Sequence, residues 1–325
     1  MLFCAVFLVL ACPFLKGMLL SMSHSRFGLP SLYLAIFFLA LTGLYAKLIP
    51  LNAISIIPLR GMIAALGLAL FCLVRKRSLR LPDLRHYVGV YAIGCLLGLH
   101  WVTFFHAMQV STVAVGMLAM FSFPMISILL EPFFSRQPLQ MKDVVAGVTM
   151  LAGLVIMVGS DLAALQGPVL WGVLWGVLSA VLFTLRNLFQ KYHFPHVASD
   201  GLMFHQVVAV ALLLALFVDY PQVGEMTAPD VLMLALLGLF STAGAHTLLV
   251  FSLKQLPVKT VSLISCSQPV IATLLAWLVI CEVPGWPVII GGGLVLSVAA
   301  YETIARTVSS KTTTREESHP DRNIA

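Results

Sequence analysis

Charge is what this chain of 325 residues has least of: Asp, Glu, Lys and Arg make up 10% of it, against 60% hydrophobic residues. Soluble domains run at about 25% charged and about 45 to 50% apolar, so there is too little polar surface here to clothe a fold in water. Cysteine patterns for metal or redox chemistry are missing too. Cys4, Cys12, Cys72, Cys95, Cys266 and Cys281 lie in or beside apolar runs with no Cys-x-x-Cys spacing, and read as small buried side chains. There is no Gly-x-x-x-x-Gly-Lys-Ser/Thr, no His-Glu-x-x-His and no Gly-x-Ser-x-Gly. Those absences argue against a nucleotide-driven pump, a zinc hydrolase and a serine hydrolase, and neither cofactor nor metal ion is expected.

What is present is a series of apolar runs. A helix crossing the hydrocarbon core takes about 20 mostly apolar residues. Ten such runs fit the chain, at 31–48, 54–74, 87–108, 113–134, 144–158, 169–189, 202–218, 231–253, 261–280 and 286–301. The expected fold is an all-α membrane protein of ten transmembrane helices. A formal charge of +6 suggests nucleic acid at first sight, but the basic residues crowd into alternate connections and the adjoining helix ends, where membrane topology accounts for them. One set holds Arg75, Lys76, Arg77, Arg80 and Arg85, then Arg136 and Lys142, Arg186 and Lys191, and Lys254 and Lys259. The other set holds Asp161, Asp219, Glu225, Asp230 and Glu282. Basic connections stay on the cytoplasmic side, so both termini are expected in the cytoplasm of a multi-pass protein of the cell (inner) membrane.

Three readings fit the apolar stretch 1–21: an extra helix, an uncleaved anchor, or translation from a start codon upstream of Met22. It lacks the basic start and small-residue cleavage site of a secretory signal. The polar segment 306–325 reads as a disordered cytoplasmic tail.

The two halves resemble each other. Pro124-Met-Ile-Ser-Ile-Leu-Leu130 and Pro269-Val-Ile-Ala-Thr-Leu-Leu275 match at four of seven positions, 145 residues apart. At that displacement Gly147 falls on Gly292, Arg60 on His205, and His100 one position short of His246. Five helices per half make the halves opposite in orientation, so 31–158 and 169–301 are expected to form two inverted five-helix repeats enclosing a site near mid-membrane. Proline has no amide hydrogen, so Pro124 and Pro269 are expected to kink their helices and free the carbonyls of Met120 and Ser265.

These residues carry a family likeness. Pro58-Leu-Arg60 in the second run, and Gln268-Pro269 followed by Leu274-Leu-Ala-Trp277 and Glu282 in the ninth, resemble EamA-type members of the drug/metabolite transporter superfamily over nearly all of 31–301. The first half departs from the pattern, with Gln137 where the second has Glu282, and with Glu131-Pro132 earlier. The resemblance implies a ten-helix secondary transporter with a central cavity lined by both halves, and export as the direction.

Several side chains are candidates for substrate binding or coupling. A charge at the bilayer centre costs about 2.5 to 3.5 kcal/mol on insertion scales, so an intramembrane charge needs a partner, a wet cavity or a route to the interface. Arg60, about 9 Å inside its helix, either holds an anionic substrate group or braces the fold. Glu131 is a proton-binding carboxylate or an interface partner of Arg136 or Lys142. His100 and His246 are candidate proton carriers, with a backbone-bonded histidine as the plainer alternative. Ser122, Ser265 and Gln268 line a pathway or bond neighbouring helices. Trp101 and Trp277 stack on a planar substrate or pack on other helices. The stripe Trp171-Gly172 and Trp175-Gly176 serves close internal packing or a homodimer contact.

These features together lead to an expectation of a carrier for a small polar organic metabolite, such as an amino acid or a relative, working in the lipid bilayer with proton coupling. An integral membrane enzyme is the rival reading, and a non-transporting sensor or scaffold is the third.

Overall fold

The computed structural model describes residues 27–42, 45, 49–111, 113–162, 167–280, 283 and 285–317, so residues 1–21, Lys47 and Glu282 lie outside what is described. The described residues form helices α1 (Gly28–Ala40), α2 (Ala53–Val74), α3 (Leu84–Val110), α4 (Val113–Met120), α5 (Phe123–Ser135), α6 (Met141–Leu162) and α7 (Gly167–His193). They continue with α8 (Ser199–Leu214), α9 (Tyr220–Gly224), α10 (Ala228–Leu236), α11 (Ala245–Gln255), α12 (Val258–Ser265), α13 (Gln268–Ile280) and α14 (Trp286–Glu317). Eight helical segments among them are long and apolar enough to cross a membrane, and α1 is a shorter apolar helix. Their outward faces stay apolar: Leu216 is 91% exposed, Phe133 81% and Leu278 74%. Such a surface is stable against lipid and unstable against water, and the chain is a multi-pass membrane protein.

Helix starts follow local chemistry. Asn52 caps α2 by accepting from the Ser55 amide at 2.8 Å, and Asp83 caps α3 by accepting from the His86 amide at 2.9 Å. Thr227 and Asp230 form a reciprocal capping box at the start of α10.

The fourth and ninth expected spans are broken where kinks were expected. α4 ends at Met120 and α5 starts at Phe123; α12 ends at Ser265 and α13 starts at Gln268. Pro124 and Pro269 thereby fall in the first turn of a new helix, where a missing amide hydrogen costs little. Ser122 and Ser267 donate to the carbonyls of Ala119 and Ile264, both at 2.7 Å, which supplies a partner to the turn. The eighth expected span is continuous, but residues Leu237–Gly244 between α10 and α11 are π-helical.

Packing pairs the halves. α3 packs most extensively on α7, α6 on α14, α2 on α8 and α1 on α11, and α12 packs most extensively on α5. Exchange of the halves carries the third-with-sixth contact onto the eighth-with-first contact and returns the other three pairs to themselves. Two like halves with a shared axis give this pattern. The crossing of α6 and α14 depends on glycine: a Cβ on Gly153 would stand 2.9 Å from the Gly291 carbonyl oxygen. Gly172 and Gly176 face Ser111 and Ala119, so that stripe is occupied inside the chain by α3 and α4.

Two details of charge and helix length stand out. Arg186, expected near a helix end, lies inside α7, fully buried, where Nε donates to Gln206 Oε1 at 2.8 Å and NH1 to Asn187 Oδ1 at 2.9 Å. Neutral amides on its own and a neighbouring helix satisfy it, which sequence spacing does not reveal. Beyond residue 301, α14 runs on to Glu317, because no Gly or Pro interrupts the polar segment before Pro320.

Candidate functional site

The two helix breaks face one another in the interior, with Cys266 Sγ 3.9 Å from the Phe121 carbonyl oxygen. Beside them lies a cavity of about 90 Å3. Arg60, His100, Trp101, His246, Ser265 and Gln268 all line it, together with Leu39, Thr42, Met120, Leu249 and the rings of Phe104, Phe105, Phe121, Phe123 and Phe183. Six of the nine candidates chosen from sequence therefore meet, drawn from α2, α3, α11, α12 and α13.

Arg60 is 5% exposed, and its guanidinium carbon lies 3.9 Å above the centre of the Trp101 ring. Stacking of this kind contributes about 0.5 to 2 kcal/mol and leaves the in-plane N–H groups directed elsewhere. Its Nε has no hydrogen-bond partner, and among the described residues no carboxylate lies within ion-pair distance of it. His246 sets its ring edge-on to the same Trp101 at 5.5 Å, and its Nδ1 is also without a partner. Trp101 thus contacts two unsatisfied polar groups supplied by different halves of the chain.

His100 is committed. Its Nδ1 lies 2.7 Å from Ser179 Oγ, and that hydroxyl donates to the His100 carbonyl at 3.0 Å. Nδ1 is then the protonated nitrogen, donating to Ser179, so His100 fastens α3 to α7. Ser265 donates to the Val261 carbonyl at 2.7 Å, and Gln268 Nε2 donates weakly to the Leu39 carbonyl at 3.4 Å.

Three candidates lie elsewhere. Ser122 is engaged with its own turn, and Trp277 is 46% exposed on α13, away from the cavity. Glu131 is 5% exposed at the foot of α5. Its carboxylate accepts from the amides of Val258 and Lys259 at 2.7 Å each and from the Tyr192 hydroxyl at 3.0 Å, with Lys191 Nζ at 3.9 Å. An anion at the first amides of a helix is in favourable electrostatic surroundings. Its partners are these groups rather than Arg136 or Lys142.

Around Glu131 opens a wider cleft of about 430 Å3, lined by Lys142, Asp143, Lys191, Tyr192, Gln255, Lys259 and Glu302. Lys259 pairs with Asp143, and Thr260 donates to Glu302 at 2.5 Å. Sequence reasoning passed over Asp143, Tyr192 and Glu302. Asp143 follows Lys142 in an apparent surface connection, and nothing local marks it as buried. At this end Arg77 also pairs with Asp200 at 2.7 Å, whereas at the far end Ser55 Oγ accepts from the Asp219 amide at 3.0 Å. Basic and acidic connections therefore gather at separate ends.

The EamA-like transporter family matches the chain twice, over residues 26–159 and 170–301. No curated protein matches it. Twenty-eight solved chains do, among them a crystal structure that is 20% identical, with a TM-score of 0.72 over 86% of this chain and 98% of that one. At that identity the likeness speaks for the fold alone. With the matched segments coinciding with the two halves that the packing pairs, the chain belongs to the EamA-like transporter family.

Proposed function

We propose that the protein is a secondary carrier of a small polar organic metabolite, built from ten spans in two inverted repeats that expose one central site to each side in turn. The observation that carries this reading is the cavity between the helix breaks, where unsatisfied polar groups from both repeats converge in an otherwise apolar interior. Irregular backbone at membrane depth is stable where it lines a cavity, and carriers of inverted-repeat design place their sites at such breaks. The gathering of basic connections at one end supports the inverted arrangement, with that end and both termini in the cytoplasm of the cell membrane.

In this reading Arg60 and Trp101 hold the substrate, His246 exchanges a proton within the cavity, and Glu131 ties the repeats together at the basic end. Small metabolites that carry a carboxylate are the first class to test, and export is the direction proposed. Rocking of one repeat against the other would separate α5 from α12 and free Glu131 from the α12 amides. The packed stripe on α7 leaves a homodimer without that surface. Neither nucleic acid, metal nor cofactor has a part in this reading.

Purified protein in sealed liposomes, offered labelled metabolites with and without a pH gradient, tests the proposal. Saturable uptake or release is expected, with Arg60→Ala, His246→Ala and Glu131→Gln reducing flux more than protein yield. Chemical conversion of the substrate would make the protein an enzyme, and saturable binding without flux would make it a sensor.

A further inference from the structure

We infer that the central cavity selects an organic monoanion: a carboxylate seated on Arg60, with an apolar body against the phenylalanine wall and no cationic group. The inference rests on the carrier reading for its biological setting, and on the cavity's own chemistry for its content.

Charge balance decides the sign. Among the lining residues Arg60 carries the one fixed charge, and no Asp or Glu is among them. The helix breaks supply dipoles of both signs. α5 and α13 begin at the cavity, with partial positive charge, while α4 and α12 end there, with partial negative charge. Each terminus is equivalent to about half an elementary charge, so the four nearly cancel and the guanidinium sets the field. A buried cation is costly without a counter-ion or hydrogen-bond partners; Arg186 has the neutral amides of Gln206 and Asn187, whereas Arg60 Nε has no partner and is left for a ligand to satisfy.

Donor geometry points to a carboxylate. Arg60 is stacked on Trp101, an arrangement that leaves its planar edge available for two-point contact, and its Nε is unsatisfied. His246 Nδ1, beside the same indole, is a second unsatisfied group for a polar substituent. One guanidinium balances one negative charge; a phosphate, with about −1.5 to −2, would leave charge uncompensated among aromatic rings.

Exclusion of an ammonium follows from the same list. Its potential acceptors would be the Gln268 side-chain oxygen, the Thr42 and Ser265 hydroxyls, and the carbonyls of Met120 and Ser265, which lie four residues before Pro124 and Pro269 and cannot have them as helical donors. All of these are neutral groups in a lining whose one fixed charge is positive. The cavity of about 90 Å3 is smaller than the roughly 150 Å3 void known to hold benzene. As it stands it seats a carboxylate with a short carbon stub, and a larger body enters as the repeats part.

Equilibrium binding to the purified full-length protein in detergent, read by calorimetry, tests this with matched ligands: propanoate, propanamide, alanine and propylammonium, then the same four head groups on a phenyl-bearing chain. At least one anion should bind about tenfold or more tighter than its amide, as expected for a charge-assisted contact, with the zwitterion no better than the amide. Arg60→Met should remove the preference for the anion, and Arg60→Lys should keep part of it. Equal binding of anion and amide, tighter binding of the zwitterion, or no binding of any compound by folded wild-type protein would overturn the inference. The wild-type series stands without the variants if these fail to fold. Anion binding without flux in liposomes would remove the carrier reading and leave the anion site; flux of zwitterions without anion binding would do the reverse.

Discussion

The two repeats share a scaffold and differ in their chemistry. At equivalent positions, 145 residues apart, the first repeat has Arg60, Trp101 and Glu131 where the second has His205, His246 and Ala276. Arg60 lines the cavity, whereas His205 bonds the Leu79 carbonyl at 2.8 Å and packs among Tyr87, Tyr91 and Phe204. Trp101 and His246 meet at the centre. Glu131 binds the start of α12, and Val258 there is the counterpart of Val113. The counterpart of Glu131 is alanine, so one end of the molecule has a carboxylate tie that sequence denies to the other. In the proposed alternating-access reading, symmetry of packing offers two arrangements, and asymmetry of chemistry sets their relative stability.

The largest expected effect separates Arg60 from His205. Arg60→Met should reduce flux about 10- to 100-fold, as loss of a charge-assisted contact implies, while His205→Leu should leave flux within about threefold of wild type. His205→Leu should instead lower stability by about 1 kcal/mol, because the half-buried Leu79 carbonyl loses its donor. Comparable flux loss in both would mean that the repeats use these positions alike.

Next comes the tie at the basic end. Glu131→Gln keeps an acceptor but loses the charge facing two amides, and should raise the population in which α5 and α12 have parted about tenfold. Thiol labelling of Ser262→Cys in a cysteine-free background reads this, since Ser262 is 1% exposed and bonds Ser127 across that contact at 2.9 Å. An unchanged labelling rate would show that the carboxylate does not hold the end closed.

A smaller difference is expected where the last helices of the repeats cross. Gly291→Ala should lower the melting temperature by the equivalent of about 1 kcal/mol, since the new Cβ meets the Gly153 carbonyl. Gly293→Ala has no neighbour within 4 Å and should leave it unchanged.

The smallest effect concerns the caps of the third and eighth spans. Hydrogen bonds from the His86 side chain and amide hold the Asp83 carboxyl below its usual value. A depressed carboxyl stabilises the fold at pH values above its unfolded pKa and loses that contribution as pH falls through the lower folded value. Asp83→Asn should therefore flatten the acid limb of the melting curve slightly, as both partners are exposed. The Thr227 box at the start of α10 would still cap the counterpart helix. A pH dependence unaltered by the substitution would place its source elsewhere.

Much of this was readable from the chain. Proline register and the displaced Gly147 and Gly292 marked the two halves, and intramembrane polarity picked out Arg60, His246 and Gln268. Trp277 was chosen on the same grounds, yet it faces outward, and Arg186 was counted among the helix-end charges although it is buried among amides. Breaks in place of kinks at Pro124 and Pro269 required the partner hydroxyls to be in position, as Ser122 and Ser267 are.

Hydropathy and charge along the chain determined by themselves that it lives in a membrane, roughly where each apolar run starts and stops, and that its halves are alike, because insertion free energy depends on local composition. Only the tertiary structure decided which side chains face one another. In lipid the buried and exposed faces of a helix are both apolar, so no periodic pattern records its rotation, and the meeting of Arg60, Trp101 and His246 exists in the packing alone.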